Sequence, residues 1–270
     1  MAKTAGIVVA VALLAAAIAI PASLLGGSDP SQSRSSAPDA RGSAGISSLA
    51  DSPEPGLTVP EPALLERPQA GATWAPVRRE TVARARPRAD ATVVAKLSPL
   101  TPEGTSNIVL VLKRVERSGK LWLRVRLPVL PADATGWVQR EALGGYSVVD
   151  THLVVDLDEL TATLFRDGQP IFSAPVGIGE AQWPTPRGEF YVRNKLTRYA
   201  SPLYGPLAFG TSARSEVLTD WPSGGFVGIH GTDQPELLPG AVSHGCIRLR
   251  NEDILRLGEL MPVGTPLTIQ

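Results

Sequence analysis

Two histidines and the single cysteine of this 270-residue chain lie close together, at His230, His244 and Cys246. A thiolate is a strong nucleophile, but a free cysteine with a pKa near ~8.5 is mostly protonated at neutral pH. A histidine beside it can take the proton and hold the thiolate as an ion pair. His230 lies across a loop and can approach through space. His244, two residues from Cys246 on one extended segment, is expected to point to the opposite side. Gly245 lets the backbone bend and leaves amide N–H groups uncovered beside the sulfur. Amides so placed could hold the oxyanion of a tetrahedral intermediate, at roughly 3 kcal/mol per donor. Arg248 adds a fixed positive charge, suited to a substrate carboxylate or to lowering the cysteine pKa.

Two other readings of the same residues stay open. A single cysteine is often a small buried hydrophobe. His230, His244 and Cys246 could also be three zinc ligands, with Asp233 as the fourth. Spacing alone does not choose among nucleophile, zinc site and inert core.

The elements that position these residues are read from residues 148–270, which carry nine basic and fourteen acidic side chains. His152-Leu153-Val154-Val155-Asp156 begins a strand. Asp167-Gly168 between Ala162–Arg166 and Gln169–Phe172 predicts a hairpin with a type I′ turn. Phe190–Val192 and Phe226–Ile229 read as further strands. Helical periodicity occurs at Ile254, Leu255, Leu257 and Leu260, with Asn251 as the expected N-cap. Thr265–Ile269 is a closing strand, which Pro266 should confine to a sheet edge. His152 reads as a surface residue.

Upstream, residues 71–147 hold 13 basic and 6 acidic side chains. Ile108–Leu112, Leu121–Leu127 and Gly136–Val138 read as strands, with Ser118-Gly119 as a turn, which suggests a small β-barrel. Such a positive excess either solvates the surface or holds the unit to an anionic wall polymer or lipid headgroup. Residues 28–70, with nine serines and seven prolines, read as a disordered tether spanning roughly 35 Å as a random coil. From Ala5 to Leu25 no charge occurs, enough to cross a bilayer. Lys3 before it and Asp29 after it would leave the remainder outside the cytoplasm. Residues 1–27 are therefore a membrane anchor or a cleaved signal peptide.

Lys and Arg together number 26, as do Asp and Glu. A balanced chain lacks the footprint of a dedicated nucleic-acid binder. Split by segment, the balance is no argument against other polyanions. One cysteine excludes an intrachain disulfide framework.

The residues Ile229-His230-Gly231-Thr232, then Ser243-His244-Gly245-Cys246-Ile247-Arg248-Leu249 and Asn251-Glu252-Asp253, resemble the signature of the L,D-transpeptidase catalytic domain. Pro184-Thr185-Pro186-Arg187-Gly188-Glu189-Phe190 and Leu153-Val154-Val155-Asp156 agree with it in order. The segment with "WLRVRLP" and "TGWV" resembles the bacterial SH3-like domain. With the N-terminal membrane helix and disordered tether already read from composition, the resemblance implies a mainly β protein: a small SH3-like β-barrel over 71–147, then a β-sandwich-like catalytic domain over 148–270 with a short helix after the cysteine. It implies Cys246 as nucleophile and His230 as general base. The Gly231 carbonyl would orient His230, and Ser243, His244, Gly245 and Arg248 would support the site. It also implies that no metal or organic cofactor is needed. The donor and acceptor would be peptidoglycan stem peptides, joined 3→3 through a thioester with release of D-alanine, in the cell envelope. Carbapenem-type β-lactams would be covalent inhibitors. Transfer to water would instead make an L,D-carboxypeptidase, and a degenerate site would leave a wall-binding protein.

Overall fold

A computed structural model of the chain describes residues 71–197, 201–219 and 224–270. The expected membrane segment and tether lie outside these residues. Among the described residues no helix is long and apolar enough to cross a membrane.

The first unit holds β1 (Ala72–Pro76), β2 (Thr81–Arg84), β3 (Val93–Leu97), β4 (Ile108–Arg117), β5 (Lys120–Arg126), β6 (Thr135–Gln139) and β7 (Ser147–Val149). They form one antiparallel sheet in the order β3-β2-β6-β5-β4-β1-β7. The sheet curls around a single core of Ala75, Ala83, Leu97, Val109, Val111, Leu123, Val125 and Val138. Ser118 and Gly119 both take positive φ and close the β4–β5 turn, as expected. The sheet runs on to Val149, two residues past the expected boundary at 147.

The second unit holds β8 (Thr151–Asp156), β9 (Thr161–Arg166), β10 (Gln169–Pro175), β11 (Gly177–Gly179), β12 (Gly188–Leu196), β13 (Ala208–Arg214), β14 (Phe226–His230), β15 (Gly240–Ser243), β16 (Ile247–Arg248), α1 (Asn251–Leu260) and β17 (Pro266–Ile269). Its sheet order is β10-β9-β8-β17-β12-β13-β14-β16-β11-β15. Strand β12 makes the fold. Its first half, Gly188–Tyr191, pairs with β17, and its second half, from Val192, pairs with β13 past a register shift. A strand that changes partners lets the sheet turn a corner. Leu153, Ala162 and Leu164 from one side thereby share a core with Phe209, Ile229 and Ile247 from the other. The α1 residues Ile254 and Leu257 close that core.

Two local expectations are corrected. Strand β17 lies inside the sheet, between β8 and β12, and not at an edge. Pro266 is tolerated because it is the first residue of the strand, where its missing N–H removes no interior ladder bond. Asn251 is the first helical residue and Arg250 occupies the N-cap position without a side-chain cap. The hairpin at Asp167-Gly168 forms as expected, both residues having positive φ. His152 is half-buried and bonded to Thr268 Oγ1 at 2.8 Å.

The apolar run Ile108–Val111 is continuous because β4 is covered on both faces. Val109 and Val111 enter the first unit's core, while Ile108 and Leu110 pack with Tyr191 of β12. Strand β12 is the counterpart: Phe190 and Val192 enter the second core, and Tyr191 faces the first unit. The Tyr191 hydroxyl donates to the Ile108 carbonyl at 2.9 Å.

Candidate active site

Strands β14 and β16 run parallel as neighbours, with Ile229 opposite Ile247 and His230 opposite Arg248. Both isoleucines are fully buried in the core. By the two-residue alternation of strands, Gly228, His230, Cys246 and Arg248 therefore share the other face. That face borders a cavity of about 260 Å³, whose lining includes Tyr204, Phe226, His230, Ser243, Cys246 and Arg248.

The Gly228 N–H points at the Cys246 sulfur, 3.4 Å away. A Cβ at position 228 would lie 3.8 Å from both that sulfur and His230 Cδ2. The thiol and the imidazole thus flank the gap left by a missing side chain. His230 Nδ1 lies 2.6 Å from the Gly231 carbonyl oxygen. A carbonyl only accepts, so Nδ1 carries the proton and Nε2 keeps its lone pair. Tyr204 packs against the ring at 4.6 Å between centroids.

Electrostatics corrects one expectation. Burial pushes His230 down to about 4, and Arg248 adds to this against the opposing pull of the Gly231 carbonyl. Burial pushes the Cys246 thiol up, although the Gly228 N–H and Arg248 act the other way. Both shifts favour neutral imidazole and thiol over the ion pair suggested by the residues alone.

The turn carrying Cys246 is fixed from two sides. Ser243 Oγ accepts from the Gly245 N–H at 3.1 Å and donates to the Cys246 carbonyl at 2.6 Å. Thr185 Oγ1 accepts from the Gly179 N–H and donates to the Gly245 carbonyl, both at 2.9 Å. Gly245 has φ +107, a conformation that excludes other residues without strain. Its amide is committed to Ser243, so it is not the free oxyanion donor expected. Its part is to bend the chain. Arg248 Nε is enclosed without a hydrogen-bond partner. His244 is exposed and stacks on Trp183, 3.9 Å between centroids. Among the described residues no group of three or more His, Cys, Asp or Glu side chains converges to hold a metal ion. Asn251 accepts from the Thr232 N–H at 3.0 Å and so steadies the loop after His230.

Three participants are missed by sequence reasoning: the Gly228 amide, the Trp183 stack and the Phe226 wall. Thr185 sits in a segment the sequence does mark, but its tie to Gly245 crosses 60 residues.

A family model described as the L,D-transpeptidase catalytic domain matches residues 150–269. YkuD of Bacillus subtilis (strain 168), which carries an L,D-transpeptidase name, is 32% identical over 118 residues, covering 44% of this chain and 65% of that protein. YqjB of the same organism, similarly named, is 32% identical over 133 residues, covering 44% and 71%. The chain thus spans just under two thirds of the length of YkuD. Among solved structures, the catalytic domain of the Enterococcus faecium L,D-transpeptidase is 29% identical, covering 45% of this chain and 97% of that one, with a TM-score of 0.34.

Proposed function

The chain belongs to the L,D-transpeptidase family, and on that premise we propose that it is a cysteine acyltransferase forming 3→3 cross-links between peptidoglycan stem peptides. The observation that carries the reading is the β14–β16 register, with Cys246 Sγ at the Gly228 amide and His230 held by its own neighbour's carbonyl.

In the first step Cys246 Sγ attacks the carbonyl joining the third stem residue to the terminal D-alanine. His230 Nε2 takes the thiol proton as the C–S bond forms. The Arg248 charge, on the same face as the sulfur, supports the developing oxyanion or a substrate carboxylate. Collapse breaks the C–N bond. His230 returns the proton to the departing D-alanine amine, leaving a thioester. In the second step a side-chain amine of a neighbouring stem attacks the thioester, losing its proton to His230, and the thiol is regenerated. Water in that step would give the carboxypeptidase reaction. His244, stacked on Trp183, and Ser243 shape the cleft and take no proton.

The reading includes an extracytoplasmic setting, with residues 1–27 as anchor or signal and 28–70 as tether. It also takes residues 71–147 as an SH3-like unit.

The test is intact mass spectrometry of the full chain after exposure to a carbapenem, a strained acyl donor for such a thiol. One adduct per chain is expected, absent in Cys246→Ala. An adduct that persists in the variant, or none on the native protein, overturns the nucleophile. Incubation with purified tetrapeptide stems then distinguishes acceptors. A dimer short of one D-alanine supports transpeptidation, and only tripeptide supports the water reaction.

A further inference from the structure

The second unit meets the first along one face of β12, and the contacts there are polar as well as apolar. Glu189 N–H donates to Asp133 Oδ1 at 2.6 Å. Further along the strand, Arg193 is 2% exposed. Its Nη2 donates to Glu103, 3.1 Å from Oε1 and 3.4 Å from Oε2. Its Nε donates to the Thr211 carbonyl at 2.8 Å. Asn194 Nδ2 reaches both Glu103 Oε2 at 3.2 Å and Thr105 Oγ1 at 3.0 Å. Glu103 therefore receives donors from two successive β12 residues. Burial works to raise its carboxyl, and Arg193 with the Thr101 and Asn194 bonds outweighs this and holds it below the ordinary value.

The far side of the Arg193 guanidinium is occupied by a ring. Its Cζ sits 3.8 Å from the centroid of Phe226, while the Arg214 guanidinium lies 5.0 Å from the same centroid. Arg214 is tied to the Gly224 carbonyl. Phe226 starts β14, the strand that ends in His230, and its side chain lines the cavity that holds Cys246. A continuous file thus runs from a carboxylate in the first unit, through a buried guanidinium, to a wall of the cleft. An arginine stacked on a ring keeps its place only if its charge is answered, because an unpaired buried cation is costly.

We propose that Glu103 is a positioning residue for the cleft: by holding Arg193 against Phe226, the N-terminal β unit sets the wall against which the acyl donor lies. This rests on the reading of the cleft as the donor site. The proton-transfer pair is not touched by the file, so losing Glu103 alters how well a donor seats and not how fast a seated donor reacts.

The test compares native full chain with Glu103→Ala, Glu103→Gln and Glu103→Asp, and with Asp133→Asn as a variant of the same interface that leaves Phe226 alone. Carbapenem acylation is followed over concentration to separate the half-saturating concentration from the limiting rate. Hydrogen exchange is followed at the amides of Phe226–Gly228. For Glu103→Ala the half-saturating concentration should rise about 5-fold or more. Its limiting rate should stay within about 2-fold of native, and exchange at Phe226–Gly228 should quicken. Glu103→Asp should recover most of this, Glu103→Gln less, and Asp133→Asn should change none of the three. Unchanged exchange at Phe226–Gly228, or a change matched by Asp133→Asn, overturns the positioning role. So does faster exchange with an unchanged half-saturating concentration. If native protein takes no adduct, the donor-site reading fails instead, and hydrogen exchange alone decides whether Glu103 holds Phe226.

Discussion

The two β units each bury an apolar core, yet they place their polar groups in opposite ways. Of the thirteen buried polar residues among those described, only Thr101 and Asn107 belong to the first unit. The other eleven, including Thr185, Arg193, His230 and Ser243, belong to the second. The first unit carries its polarity outside. Across the β4–β5 hairpin, Lys113 faces Arg124 and Arg117 faces Lys120, like-charge pairs that a sheet tolerates at some loss. Burying a polar group is unfavourable unless it is bonded. Three of the eleven, Ser215, His230 and Ser243, line the cavity beside Cys246, and there the buried polar groups hold geometry rather than add stability.

That contrast can be broken experimentally, beginning inside the second unit. His230→Asn should lower carbapenem acylation about 10²- to 10⁴-fold with the fold retained by circular dichroism. A fall of less than tenfold would remove His230 as the base. Next, Thr185→Val keeps the shape but strips both hydrogen bonds from the turn. It should destabilise by about 1–3 kcal/mol in denaturant unfolding. It should also slow acylation about tenfold or more through misplacement of the sulfur. A loss of stability without a loss of rate would make Thr185 a purely structural tie.

The pH profile sharpens the same point. With His230 pushed down to about 4, the base stays neutral as pH falls from 7 through 6. The acylation rate should therefore hold across that range and drop only near 4. A limb near 6.5, the ordinary histidine value, would show that burial does not control the base. The sign for stability follows. The unfolded chain takes up this proton first, so the contribution is full above ~6.5 and is lost as pH falls toward 4.

The smallest effects belong to the first unit and its contact with β12. Tyr191→Phe removes one buried bond to Ile108 and should cost about 1 kcal/mol, a shift of roughly 2–4 °C in thermal midpoint. Acylation should be unchanged. Lys113→Glu turns a like pair into an opposite one. It should raise stability by a few tenths of a kcal/mol while weakening co-sedimentation with cell-wall sacculi at low salt. Equal retention by native and variant would leave the basic face a solvated surface.

Legibility in the sequence follows the range of the interaction. The turns at Ser118-Gly119 and Asp167-Gly168 and the helix after the cysteine rest on local chemistry, and all are present; the spaced motif brings His230 and Cys246 to neighbouring strands, β14 and the start of β16. Pro266 and Asn251 misled because each obeys a local rule that its neighbours override. The one sits at the first position of an interior strand, and the other is drawn to the Thr232 amide. The ties that fix the site were not legible. Thr185 reaches Gly245 and Glu103 reaches Arg193 across 60 and 90 residues, and nothing in either segment names its partner. The pull toward the neutral pair was hidden for the same reason, since it comes from burial that only the folded chain supplies.

The burial of Cys246 has a consequence for the lifetime of its thiol. Peroxides and disulfides react with thiolates and hardly with thiols. A nucleophile whose burial favours the thiol is less open to oxidation between turnovers. Inactivation of the full chain by hydrogen peroxide at neutral pH should be slower than oxidation of free cysteine. Faster inactivation would mean that the sulfur rests as the anion after all.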